Sequence, residues 1–178
     1  MKTFLISDTH FGHANILNFK RKDGGVLRKF PDVYHMDQYM INAWNKTVGP
    51  EDKVYHLGDV GFCSFTRLKE IFDQLNGTKV LIKGNHDNLK LSQYAQLFKD
   101  VRAYHVLDKF VLSHVPIHPY SLDRWDANIH GHLHYNRVEW LGQIDPKYIN
   151  VSVECINYTP IEFTQLKNQY AKETKIST

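Results

Sequence analysis

The sequence predicts an α/β protein in which sheets are covered by helices in two or more layers. Short apolar runs of strand length alternate with helix-period segments through the first hundred residues. Beyond them the chain turns into strand-like runs with short connections, and a helix-period segment closes it. Its 178 residues, 42% hydrophobic and 23% charged, suit one globular domain over residues 1–178, with no internal repeat, low-complexity segment or linker to divide it.

Residues 2–7 read as a buried strand that stops at Asp8. Residues 33–48 read as a helix, because Met36, Met40, Ile41, Trp44 and Val48 fall on one face. A second strand, 53–57, ends in Gly58-Asp59. Residues 64–75 form a helix with Ser64 as N-cap and Leu68, Ile71, Phe72 and Leu75 in one stripe. Asn76-Gly77 stops it before a third strand at 78–83, and 89–98 is a short helix. Strands follow at 101–106, 109–113, 127–130, 135–140 and 148–154. Thr159-Pro160-Ile161-Glu162 has a capping-box pattern with Pro at the first helical position, which launches a last helix to about residue 172.

Histidine is abundant: there are 11, more than the 10 Gly, 10 Tyr or 10 Phe, and imidazole is the side chain of metal ligation and proton transfer. The polar signal falls in five segments, Asp8-Thr9-His10, Gly58-Asp59, Gly84-Asn85-His86-Asp87, His114 and Gly131-His132-Leu133-His134. Each follows a predicted strand, and ligands of open α/β sheets bind outside the carboxyl ends of strands. Carboxylates, imidazoles and one amide oxygen suit Mn²⁺, Fe²⁺, Zn²⁺, Co²⁺ or Ni²⁺. In an extended backbone, Asp8 and His10 would share one side, as would His132 and His134. One such pair is an ordinary surface or core feature, and Gly-Asp is an ordinary turn. Five in order, each at a strand end, are not five independent turns.

This ordered set resembles the calcineurin-like metallophosphoesterases. DTHFGHANIL, VYHLGDV, VLIKGNHD, VLSHVP and NIHGHLH read like the small, capless bacterial and phage members, and RKF, INAWN and INVSVECINYTPI are similar to that subgroup. The resemblance implies a four-layer α/β/β/α sandwich with two mixed sheets flanked by helices. It implies two divalent transition-metal ions, Mn²⁺ foremost, with Fe²⁺, Zn²⁺, Ni²⁺ and Co²⁺ also compatible. Asp8, His10, Asp59 and His134 would hold the first, and Asp59, Asn85, His114 and His132 the second, so that Asp59 bridges. His86 would ligate neither and would face the phosphate and the leaving group. None of these eight positions departs from the family pattern.

The implied activity is hydrolysis of phosphodiester or phosphomonoester bonds, of nucleotides or cyclic nucleotides, by in-line attack of a metal-bound hydroxide. His86 would stabilise the developing charge or protonate the leaving oxygen. Asn85 would bind metal through its oxygen and present its NH₂ to phosphate. Asp87 has two readings: it orients His86, the reading we favour, or it pins the turn.

His13 and Asn15, close behind the first motif, are candidates for lining the substrate pocket or for a plain turn. Residues 20–29, KRKDGGVLRK, carry five cations and one Asp, a net +4 against +3 for the whole chain. They form either an electrostatic lip for a phosphate-bearing substrate or a solvated loop. Arg28 is the candidate phosphate ligand there, with a structural ion pair as the alternative. Trp125 is placed to stack a nucleobase or to cover a core edge, and Arg124 beside it to touch phosphate. His56 reads as a buried, satisfied histidine, His130 as a core residue or one that backs the metal ligands, and His118 as a pocket-rim residue, while His35 and His105 are ordinary.

A nuclease or nucleic-acid end-processing phosphatase is the alternative, favoured by the basic 20–29 segment and opposed by the near-balanced charge. A non-catalytic scaffold of the same fold is disfavoured by the complete ligand set. Two cysteines are too few for a disulfide framework. The N-terminal apolar run is too short for a signal peptide, and no run approaches the ~20 apolar residues of a membrane span. The expectation is a soluble, cytoplasmic protein acting on a small phosphate ester or nucleotide, with nucleic acid as a further possible partner, no membrane partner, and the oligomeric state left open.

Overall fold

The computed structural model describes residues 1–176. In chain order the elements are β1 (Thr3–Ile6), α1 (Val33–Thr47), β2 (Lys53–His56), α2 (Phe65–Phe72), β3 (Thr78–Ile82), α3 (Leu91–Tyr94), β4 (Asp100–Arg102), β5 (His105–Leu107), β6 (Phe110–Leu112), β7 (Ala127–His130), β8 (Glu139–Trp140), β9 (Gln143–Ile144), β10 (Tyr148–Asn150), β11 (Ile161–Glu162) and α4 (Phe163–Ile176). Short 3₁₀ turns occupy Ala14–Asn18 and Pro119–Leu122. One sheet has the order β11-β1-β2-β3-β4, parallel except for β11, and the other the order β10-β7-β6-β5, parallel except for β5. The fold is therefore two mixed sheets flanked by helices, as the sequence predicts.

Period-2 alternation divides the first sheet between two cores. Phe4, Ile6, Val54 and Leu81 pack with Met36, Met40, Ile41 and Trp44 of α1 and with Leu68, Ile71 and Phe72 of α2. Leu5, Tyr55, Val80 and Ile82 face the other way, onto Phe110, Leu112, Ala127 and Ile129 of the second sheet. Burial on both faces is why these strands are continuous apolar runs. Phe163 and Leu166 of α4 join the core between the sheets, and Val111 on the far face of the second sheet packs with Leu122 and Tyr148. Asp32 caps α1 by accepting from the His35 N–H, and Ser64 caps α2 by accepting from the Arg67 N–H.

Five sequence expectations change. The run 101–106 is two strands, because the chain leaves the first sheet after Arg102 and enters the second at His105. The run 148–154 pairs only to Asn150; Val151 then donates to His130 O and accepts from Ser7 N, so the segment stitches the two sheets together at one rim. Within 135–140 only Glu139–Trp140 is strand, paired with Gln143–Ile144 across Leu141 and Gly142, whose φ values of 50° and 76° make a hairpin turn. The capping box does not form: Ile161–Glu162 pairs with β1, and α4 starts at Phe163. The predicted 89–98 helix keeps only Leu91–Tyr94. No helix among the described residues is long and apolar enough to cross a membrane.

Candidate metal centre

The five polar segments leave the carboxyl ends of β1, β2, β3, β6 and β7, so both sheets supply the site. The Asp8 N–H donates to Gly58 O (3.0 Å), the His10 N–H to Asp59 O (3.1 Å) and the Gly131 N–H to His114 O (2.9 Å), which locks the segments side by side. Glycine is required at two of the crossings: a Cβ on Gly84 would overlap Asp59, and one on Gly131 would overlap Ser7 and Asp8.

The backbone is not extended at the paired motifs. Asp8, His10, Asp59, His132 and His134 have φ of 58°, 48°, 54°, 67° and 50°. Left-handed backbone costs a non-glycine residue on the order of 1–2 kcal/mol, and such strain concentrates at functional sites. Asp8 and His10 meet in one donor group through these turns and not through strand alternation, whereas His132 and His134 part to different groups.

Asp8, His10 and His134 each offer one donor atom, and these lie within 4.8 Å of one another. Asp8 is fully buried; its Oδ2 accepts from the His132 N–H (2.9 Å) and from Ser152 Oγ (2.9 Å), while its Oδ1 has no hydrogen-bond partner. His10 Nε2 is likewise buried and unpartnered, 3.9 Å from Asp8 Oδ1 and 3.7 Å from Asp59 Oδ2. Two such orphans side by side are expensive unless something bridges them. A divalent cation fits that place: it accepts lone pairs from both. Burial lowers the His10 pKa, reinforced by Arg28 and His134, so the ring stays neutral as ligation requires. His134 donates Nδ1–H to Glu154 Oε1 (3.0 Å), which leaves Nε2 as the lone pair.

Asp59, His114 and His132 form the second such group. Asp59 Oδ2 lies 3.4 Å from His114 Nε2, so this one carboxylate borders both groups, and its Oδ1 accepts from the His86 N–H (2.9 Å). Asn85 Oδ1 is 2.8 Å from His114 Nε2 and 3.0 Å from His132 Nδ1. His114 Nδ1 donates to Leu57 O at 2.7 Å. Burial works against a charged His114, but Asp59 and Asp8 outweigh it and raise its pKa. A cation here would take the place of that proton.

His86 is exposed at the mouth, its ring centroid 6.2 Å from His10 and 5.2 Å from Phe62. Phe62, which sequence reasoning missed, is the platform of this corner: His13 stacks on it at 4.3 Å and His10 at 5.6 Å. Its signal was an aromatic three residues after Asp59, left exposed where an apolar side chain has a core to join. His13 belongs to the site, with its Nδ1 3.3 Å from that of His10.

Three expected roles change. Asp87 does not orient His86: its carboxylate accepts from the N–H groups of Asp59 (3.0 Å), Val60 (3.0 Å) and Gly84 (2.7 Å), and so pins the turns that carry Asp59 and Asn85. Arg28 faces no substrate. It is 1% exposed, bonds Glu154 Oε1 (2.8 Å), and donates to the carbonyls of Thr9 (2.8 Å) and Asp8 (2.6 Å). Asn15 is exposed on its 3₁₀ turn and accepts from Asn18 Nδ2 (3.1 Å), away from both groups. Arg124 and His118 are exposed, and His118 accepts from the Tyr120 N–H. Glu154 was not singled out in the sequence, yet it joins Arg28 to His134; burial disfavours its charge, but Arg28 and His134 lower its pKa all the same.

No protein-family model matches the chain. The uncharacterized protein MJ1445 of Methanocaldococcus jannaschii is 39% identical over 166 residues, 90% of this chain and 86% of that protein. The chain belongs to the family of MJ1445. The protein of unknown function AQ665 from Aquifex aeolicus has a similar fold, with a TM-score of 0.73 at 28% identity over 94% of this chain and 98% of that one. A Vps29 single mutant from Entamoeba histolytica is more distant, with a TM-score of 0.42 at 17% identity over 84% of this chain and 73% of that one.

Proposed function

We propose that this protein is a binuclear metal-dependent phosphoesterase of the calcineurin-like metallophosphoesterase type, acting on phosphodiesters and phosphomonoesters of nucleotides. The observation that carries the reading is the convergence of two donor groups on one carboxylate. Asp59 Oδ2 stands 3.7 Å from His10 Nε2 and 3.4 Å from His114 Nε2, beside two buried, unpartnered donor atoms, Asp8 Oδ1 and His10 Nε2.

Asp8, His10, Asp59 and His134 would hold one cation, and Asp59, Asn85, His114 and His132 the other. When bound, two divalent cations supply a nucleophile near neutral pH and neutralise phosphoryl charge. The chain's own part is positioning. Asp59 is held by its turn hydrogen bonds, His134 by Glu154 and His114 by Leu57 O, so the donors are fixed before any cation arrives. His86 has no side-chain hydrogen bond among the described residues and sits at the mouth, where it can donate to a phosphoryl or leaving oxygen. Asn85 can turn its NH₂ to phosphate while its oxygen faces His114 and His132.

The test is a metal-reconstituted substrate panel: monoester, linear diester, 2′,3′- and 3′,5′-cyclic nucleotides, and single-stranded DNA and RNA. Mn²⁺ titration should show two cations per chain, and Asp59→Asn should weaken both. Hydrolysis of nothing in the panel by the two-metal form would overturn the reading. So would wild-type rates in Asp8→Asn or His86→Ala. One observation favours a nucleic-acid substrate as the second reading: Lys20, Arg21 and Lys22 line a cleft of about 300 Å³ together with His134. A steep salt dependence confined to the polymers would support it.

A further inference from the structure

A second cavity begins at the other donor group. A groove of about 650 Å³ runs from Asn85 and His114 along the far face of the second sheet. Its floor is Val106 of β5, Val111 of β6 and Ser113; its walls are Tyr104 on one side and Val115, Ile117 and Trp125 on the other. The floor asks for no polar partner, because Ser113 Oγ already donates to Val115 O (2.8 Å) and accepts from Asn128 Nδ2 (2.9 Å).

Such a surface calls for an occupant. Tyr104 is 65% exposed and Val115 47%, at a place where Val111 beneath them is 4% exposed. Apolar side chains lining a cleft beside a catalytic centre mark a ligand site. The groove is larger than phosphate needs and lies within the ~300–1,000 Å³ typical of small-molecule sites. Its lining combines two aromatic residues, Tyr104 and Trp125, with Lys83 and Ser121, whose polar groups suit a ribose and a base edge. Lys83 and Tyr104 have no side-chain partner among the described residues.

We infer that this groove is a nucleoside pocket, in which a nucleobase lies against Trp125 and Tyr104 while its phosphoester reaches Asn85 and His114. The inference rests on the phosphoesterase reading and adds where the nucleoside of the substrate binds and which side chains hold it. Trp125 thus belongs to the site, beside its part in covering the Val111–Leu122–Tyr148 core.

The experiment compares esters that share one leaving group, p-nitrophenolate, and differ only in the group retained on phosphorus: thymidine 5′-yl, methyl and octyl p-nitrophenyl phosphates, with Mn²⁺. In the wild type the thymidine ester should exceed the methyl ester in kcat/KM by at least about fivefold, the low end of what stacking a base on an aromatic ring contributes. Tyr104→Ala and Trp125→Leu should each pull that ratio toward one; Tyr104 is exposed, so its removal leaves the fold intact. Tyr120→Ala, outside the groove, should keep the wild-type ratio. Hydrolysis of thymidine and methyl esters at equal efficiency overturns the nucleoside pocket and leaves the phosphoesterase reading standing. An octyl ester favoured as much as the thymidine ester overturns it in favour of a plain apolar site. Hydrolysis of none of them overturns the nucleoside pocket, and if p-nitrophenyl phosphate, the monoester, is not hydrolysed either, the phosphoesterase reading falls with it.

Discussion

Glu154 shows how one residue can govern a site without touching its ligand. Its Oε1 takes the Nδ1 proton of His134 at 3.0 Å and the Arg28 guanidinium at 2.8 Å, and the same guanidinium holds the carbonyls of Asp8 and Thr9. Glu154→Gln should therefore lower affinity for one of the two cations by about 10–100-fold, the usual cost of losing a partner behind a ligating histidine. Calorimetric Mn²⁺ titration should show the other site unchanged; equal weakening of both would refute the assignment. Asp87→Asn tests a different role. It sets an NH₂ against at least one of three backbone N–H groups, so it should destabilise the fold by about 1–3 kcal/mol or more in urea unfolding. The pH profile of turnover should not move, whereas a shifted profile would restore Asp87 as the partner of His86. The sequence showed which residues come together, since Asp8, His10, Asp59, Asn85, His114, His132 and His134 do converge. It did not show where Asp87 and Arg28 point. Spacing fixes neighbours along the chain, not the direction of a carboxylate, and Arg28 is a buried cation hidden in a run of solvated ones.

Strands place the site, and their last residues show what burial does there. His56 ends β2 and His130 ends β7, and both are fully buried. His56 Nε2 bonds Thr9 Oγ1 (2.9 Å) and His130 Nδ1 bonds Gly131 O (2.8 Å), while the other ring nitrogen of each has no partner. Burial pushes their pKa values down from 6.5, to about 3 for His56 and about 4 for His130. Above 6.5 both states of the protein hold these rings neutral and no stability depends on them. As pH falls below 6.5 the unfolded chain takes protons that the folded chain refuses, so stability drops, by on the order of 1.4 kcal/mol per pH unit for each histidine. The loss levels off below the folded values. Urea midpoints measured from pH 7 to 4 should fall steeply in the wild type and less steeply in His56→Gln; identical slopes would show that His56 carries no such linkage. Most strands were legible because apolar residues cover both of their faces, and α1 and α2 because their apolar residues recur on one. The switch of sheets at Ala103-Tyr104 was not, because a strand that ends and another that begins look the same in sequence. Nor was β11, whose Thr-Pro-x-Glu start satisfies a helix rule while its backbone is claimed by the edge of β1.

At the scale of the whole molecule the donors are drawn from both sheets: Asp8, His10, Asp59 and Asn85 follow strands of the first, and His114, His132 and His134 strands of the second. Cations held between them would cross-link the sandwich at one rim, where the 151–153 segment stitches the backbone. Binding to the folded chain alone stabilises it by mass action, about 2.7 kcal/mol per site at a hundred times Kd. For a domain of this size that is roughly 5–10 °C in Tm for each occupied site. Calorimetric melting of chelator-treated protein, repeated with saturating Mn²⁺, should show this rise and its reversal on renewed chelation. The rise should be smaller in Asp8→Asn, which touches one donor group, than in wild type, and smallest in Asp59→Asn, which touches both. The order is the decisive part. Cations bound loosely to surface carboxylates would raise all three proteins alike, because neither substitution alters the exposed charge, whereas a clamp between the sheets must lose strength in step with the donors removed from it.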